Sequence, residues 1–94
     1  MAALPVFIAP GADEDILRAH AWYTERAPLS AESFVAELTD VVDAIARNPM
    51  GVPASDEGIH RRPLRRFPYW IYYQTQGTRV TLLALAHRRR GPGL

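Results

Sequence analysis

The segment Tyr69–His87 constrains the fold more than any other part of the chain. Tyr69 to Gln76 is almost wholly aromatic and β-branched, Arg79 to His87 is rich in Val, Thr, Leu and Ala, and Gln76-Gly77-Thr78 between them is a hairpin turn signal. Two strands so closely joined pair with each other as antiparallel neighbours. Side chains alternate along a strand, so Tyr69, Ile71 and Tyr73 share one face and Trp70, Tyr72 and Gln74 the other. The second strand of the hairpin does not alternate in polarity: Val80, Leu82, Ala84 and Ala86 oppose Leu83 and Leu85. An antiparallel strand covered on one side should alternate. Two readings follow. Either part of this strand's apolar surface awaits another chain, or the strand is central, with Trp70 and arginine side chains lying over it.

The preceding elements follow from their periodicity. Leu4–Ala9 is a short β-branched and aromatic run ending at Pro10-Gly11, a first strand whose Pro5 suits an edge or first position. Ala12 to about Ala27 reads as a helix with Asp13, Glu14 and Asp15 in its first turn. Its apolar stripe is Ile16, His20, Tyr23 and Ala27, widened by Leu17 and Ala19, and Pro28 stops it. His20 reads as a packing residue, not a ligand. A second helix runs from an N-cap at Ser30 to Arg47, with Phe34, Leu38, Val41 and Ile45 inward and Val35 and Val42 beside them. Glu32, Glu37, Asp40 and Asp43 are then a solvated face, and Asn48-Pro49 ends the helix. The short connection between the helices implies an antiparallel hairpin. Ile59–Arg66 is a strand that Pro63 places at an edge or bulge, and Phe67-Pro68 turns it into the hairpin. The expected fold is α+β, in the order β-α-α-β-β-β, with the helical hairpin packed on one face of a small, mostly antiparallel four-stranded sheet. Its 94 residues form a single domain, 1–94.

Charge divides the chain in two. The first 58 residues hold all ten carboxylates and three arginines, a net −7, whereas residues 59–94 hold eight arginines and no carboxylate, a net +8. The overall +1 conceals that partition. A basic half of this kind implies an acidic or phosphate-bearing partner. Every fixed cation is an arginine, which favours planar, bidentate contacts. The absence of cysteine excludes disulfides, thiolate metal sites and a cysteine nucleophile. No secretory signal is visible and no apolar run approaches the roughly 20 residues of a membrane span. The expectation is a cytoplasmic domain with no membrane contact, no metal ligands and no cofactor.

Several strings together carry a resemblance. They are Ala21-Trp22-Tyr23; Phe34, Leu38 and Ile45 with Pro49; Arg61-Arg62-Pro63-Leu64; Arg66-Phe67-Pro68-Tyr69 with Ile71 and Tyr73; and Ala86-His87-Arg88-Arg89-Arg90-Gly91-Pro92. In this order and at this length the chain resembles the ParE/RelE superfamily of toxins from type II toxin–antitoxin modules. The resemblance implies a cognate antitoxin, ParD-like or similar, whose C-terminal segment folds along the toxin. Trp70, Tyr72, Leu83 and Leu85 would receive it. It also implies a cellular target, DNA gyrase for ParE-like members or the ribosome for RelE-like ones, which cut mRNA. Arg61, Arg65, Arg66, His87, Arg88, Arg89 and Arg90 would meet that target.

Metal-independent cleavage of RNA needs a base, an acid and cations for the phosphorane. Arg65, His87 and Arg88 are the candidates on the nuclease reading. RelE-like patterns, however, usually finish with an aromatic residue after the arginine cluster, where this chain has Gly91-Pro92-Gly93-Leu94. The loop Asp56-Glu57-Gly58 is acidic where those nucleases are basic. The ParE-like reading, inhibition of gyrase by binding without sequence-specific DNA contact by this chain, therefore stands first and the nuclease second. A plain RNA-binding module, with Trp70 and Tyr72 as a stacking platform, stands third.

Overall fold

The computed structural model describes residues 3–89. The elements are β1 (Val6–Ile8), α1 (Pro10–Arg26), α2 (Pro28–Arg47), β2 (His60–Pro63), β3 (Tyr69–Gln76) and β4 (Arg79–His87). The sheet order is β1-β4-β3-β2, with β1 parallel to β4 and the other pairs antiparallel. This is the expected α+β arrangement of a helical hairpin on a mixed, mostly antiparallel sheet.

Proline sets the helix starts. Pro10 and Pro28 occupy the first turns of α1 and α2, where a missing N–H costs nothing. α1 therefore begins two residues and α2 three residues earlier than periodicity alone indicated, and Ser30 lies inside α2 instead of capping it. Ala27 alone connects the two: its N–H donates to Tyr23 O, and its own carbonyl accepts from Ser30 and Ala31. Its extended backbone (φ −156°, ψ 80°) is what a residue before proline prefers.

The β3–β4 hairpin closes through Gly77, whose φ of 63° few other residues tolerate. Within the hairpin Tyr72 pairs with Ala84 but Tyr73 with Leu82, so Leu83 is an inserted bulge residue. The insertion switches the parity of β4. Val80 and Leu82 before it, and Leu85 after it, all join the core against the helices. β4 is thus the central strand of the second reading, flanked by β1 and β3. Leu85, expected on the open face for an antitoxin, is only 5% exposed and packs in the core. Leu83 is half-buried at the bulge.

Phe34, Ile45, Leu64, Ile71, Tyr73, Val80 and Leu82 are the large, fully buried side chains. Tyr23, Phe34, Phe67 and Tyr69 form an aromatic cluster between the helices and the β2–β3 corner, with ring centroids 5.1–5.9 Å apart. Large exposed apolar side chains are Phe7 and Ile8 on β1, Leu17 and Trp22 on α1, Leu29 and Val35 on α2, and Met50 in the loop after α2. None belongs to β4.

Candidate functional site: a cationic sheet face and two flanking clefts

The face of the sheet away from the helices is built by register. Arg61 lies opposite Tyr72, Pro63 opposite Trp70, Trp70 opposite Ala86, and Phe7 beside Thr81. On this face the guanidinium of Arg61 stacks over Trp70 at 4.0 Å from the ring centroid, and that of Arg88 lies 6.0 Å from the same ring. Arg79 lies 5.0 Å from the ring of Phe7. These are cation–π distances. The aromatic rings hold these cations at the sheet surface, where a guanidinium's fork of N–H donors suits carboxylate or phosphate. The three arginines come from β2, β4 and the residue following β4, which only the folded sheet brings together.

Other arginines sit elsewhere. Beyond Pro63 the chain leaves the sheet earlier than expected. Glu37 on α2, expected on a solvated face, is 7% exposed, and its carboxylate accepts the backbone N–H groups of Arg65 and Arg66. The Arg66 Nε lies 3.6 Å from the same carboxylate. The Leu64 N–H returns to Tyr69 O at 3.0 Å, closing the corner. Arg65 and Arg66 therefore border an open cleft of about 620 Å³ between α2 and β2, together with Arg62, Asp40 and Val41.

His87 is on the helix side. It lies opposite Tyr69, meets that ring edge-on at 5.5 Å, and its Nδ1 accepts the Arg89 N–H at 3.2 Å. It borders a second cleft, about 360 Å³, with Asp15, Arg18, Trp22, Tyr23 and Tyr69. Here β1 has already ended: its ladder on β4 stops where the Ala9 N–H reaches Leu82 O. The Leu85 N–H instead donates to Asp15 Oδ2 at 3.1 Å, so an α1 side chain caps the uncovered strand. Burial pushes the Tyr23 phenol in this cleft up to about 12, and its neighbour Tyr69 adds to the effect.

His60 needs no functional role. It is buried, stacks on Tyr73 with centroids 4.9 Å apart, and its Nδ1–H donates to Val52 O at 2.9 Å. The Tyr73 hydroxyl donates to Pro49 O at 2.9 Å, and burial raises its phenol pKa although the nearby Arg62 charge opposes the shift. His20 is half-buried on α1, as a packing residue would be.

Among the expected target-binding residues, then, Arg61 and Arg88 share the open face, Arg65 and Arg66 border the α2–β2 cleft, His87 faces α1, and Arg89 is exposed beyond β4. Arg90 lies outside the described residues. Arg65 and His87, two members of the proposed nuclease trio, line different clefts. Trp70 and Tyr72 are half-buried on the open face. Sequence reasoning missed Arg79, whose place beside Phe7 depends on the parallel pairing of β1 with β4. No group of three or more His, Cys, Asp or Glu among the described residues is placed to hold a metal ion, and none of their helices is long and apolar enough to cross a membrane.

The model of the ParE toxin family of the type II toxin–antitoxin system parDE matches residues 6–92. No curated protein matches the chain. Among solved structures, a chain of the chromosomal ParDE toxin–antitoxin system from P. aeruginosa is similar at a TM-score of 0.78 and 17% identity, covering 90% of this chain and 96% of that one. A chain of the toxin–antitoxin complex RelBE2 from Mycobacterium tuberculosis is similar at 0.60 and 22% identity, with 93% and 100% covered. The YoeB dimer from Staphylococcus aureus gives 0.59 and 14%, with 92% and 98% covered. At these identities the structures establish a common fold.

Proposed function

The chain belongs to the ParE toxin family of type II toxin–antitoxin systems, and from that premise we propose that it arrests growth by binding and inhibiting DNA gyrase until a cognate antitoxin covers it. The observation that carries this reading is the open face, where Arg61 and Arg88 share Trp70 and Arg79 lies over Phe7. Such a surface recognises an acidic or phosphate-bearing target by charge and shape, with no bond made or broken. Trp70 and Tyr72 on the same face, with Leu83 at the bulge, offer apolar area to an antitoxin segment. Leu85 has no part in it, being in the core. Two of the similar structures are described as a ParDE toxin–antitoxin system and a RelBE2 toxin–antitoxin complex, which supports a partner of that kind here.

Cleavage of mRNA is the weaker reading. Arg65 and His87 face different clefts, so the arrangement does not gather the proton-transferring and cationic groups a metal-independent ribonuclease needs around one phosphate. Pulse labelling of nucleic acid and protein synthesis after induction, with and without the antitoxin gene, tests the choice. DNA synthesis should fail first. Earlier failure of translation would replace gyrase with the ribosome as target.

A further inference from the structure

The α2–β2 cleft holds an unusual arginine. Arg62 lies on the helix side of β2, opposite Ile71, in contrast to Arg61 on the open face. Its Nη1 is buried and has no hydrogen-bond partner. Arg62 takes part in none of the ion pairs formed among the described residues, although Asp40 borders the same cleft. A guanidinium N–H withdrawn from water without an acceptor is costly, and more so because the group is charged. Arg65 and Arg66 stand at the rim, and Glu37 is already engaged by their backbone N–H groups and by Arg66 Nε.

The lining therefore carries three guanidiniums against two carboxylates, a formal excess of one positive charge. One carboxylate neutralises that excess, and its two oxygens match the fork of a guanidinium. A phosphate dianion would over-neutralise it beside Asp40 and Glu37. We infer that the α2–β2 cleft is a binding site for a carboxylate, held by Arg62 with Arg65 at the rim, on the side of the sheet opposite the Arg61–Trp70–Arg88 face. The site does not depend on the identity of the toxin's target. Its acceptor is either a free organic acid or an Asp or Glu side chain of a bound polypeptide.

Titration of the isotopically labelled full chain at low salt, followed by NMR at the Arg62 Nε–H and the backbone amides of residues 36–44, 62 and 64–66, tests the inference. The probes are acetate, inorganic phosphate, chloride and a short acetylated, amidated oligoglutamate. Saturable shifts with a carboxylate probe, stronger than with phosphate or chloride, are the expected result. Saturation by acetate as readily as by the peptide identifies a small-acid site, and saturation by the peptide alone identifies a protein-borne carboxylate. Arg62→Met should weaken binding about tenfold or more, while Asp40→Asn, which removes a competing negative charge, should tighten it. Equal response to all anions, no saturation, or undiminished binding in a folded Arg62→Met chain overturns the site. Should that variant fail to fold, Arg62→Lys, which keeps the charge but loses the fork, should still weaken binding several-fold, and unchanged binding there would also overturn it.

Discussion

The carboxylate of Glu37 shows how one side chain can shape a corner. It reaches from α2 to the backbone N–H groups of Arg65 and Arg66, which have left the sheet and have no strand to pair with. Glu37→Ala should therefore cost about 1–3 kcal/mol, and Glu37→Gln, which keeps one oxygen acceptor, less, as read from urea denaturation midpoints. The accompanying ion pair adds little, because Arg66 is largely exposed. Tyr23 makes a different prediction. Its phenol is raised to about 12, chiefly by burial. The folded state thus holds the proton more tightly than the unfolded chain, whose phenols ionise near pH 10. That stabilisation is complete below about pH 10 and is lost as pH rises through about 12. In the Tyr23→Phe variant the fall of stability over this alkaline window should be shallower; a slope identical to the parent protein would exclude Tyr23 as its source.

At the level of elements, the bulge in β4 decides which leucine is structural. Leu85→Ala removes a core side chain and should cost about 2–5 kcal/mol, whereas Leu83→Ala, at the half-buried inserted position, should cost markedly less. Equal losses would contradict the register. Gly77 makes the hairpin possible, since a side chain at φ 63° is strained although space around it is open. Gly77→Ala should lower stability by about 1–2 kcal/mol without changing the fold, measurable by thermal or denaturant unfolding. Of these elements, β3 and β4 were legible to the residue, because a long apolar and β-branched run is bounded by a strong turn signal. β2 was overextended to Arg66. Its local composition gives no sign that a carboxylate 28 residues earlier will take over the backbone N–H of Arg65.

Across the whole molecule, the acidic first part of the chain forms the helical layer and the basic second part most of the sheet. The arginines do not gather in one place. Arg61, Arg79 and Arg88 lie on the open face, while Arg62, Arg65 and Arg66 surround the cleft behind β2. If the open face carries target binding, Arg61→Glu combined with Arg88→Glu should relieve growth arrest at least tenfold while leaving the melting temperature within a few degrees. Target affinity of the parent toxin should also fall steeply with added salt, since exposed charges are screened within about 8 Å at physiological ionic strength. Undiminished arrest by the folded double variant, or affinity indifferent to salt, would remove the open face from the mechanism.

The sequence by itself determined the order of elements, the pairing of β3 with β4, the two amphipathic helices and the family, because each rests on short-range periodicity, proline and glycine placement or contiguous strings. The burial of Glu37, the core position of Leu85 and the placing of His87 on the helix side were decided only by the tertiary structure. Each depends on where a neighbouring strand stops or gains a residue. Where pairing ends, backbone groups must find distant side chains, and where a strand gains a residue, everything after it changes face.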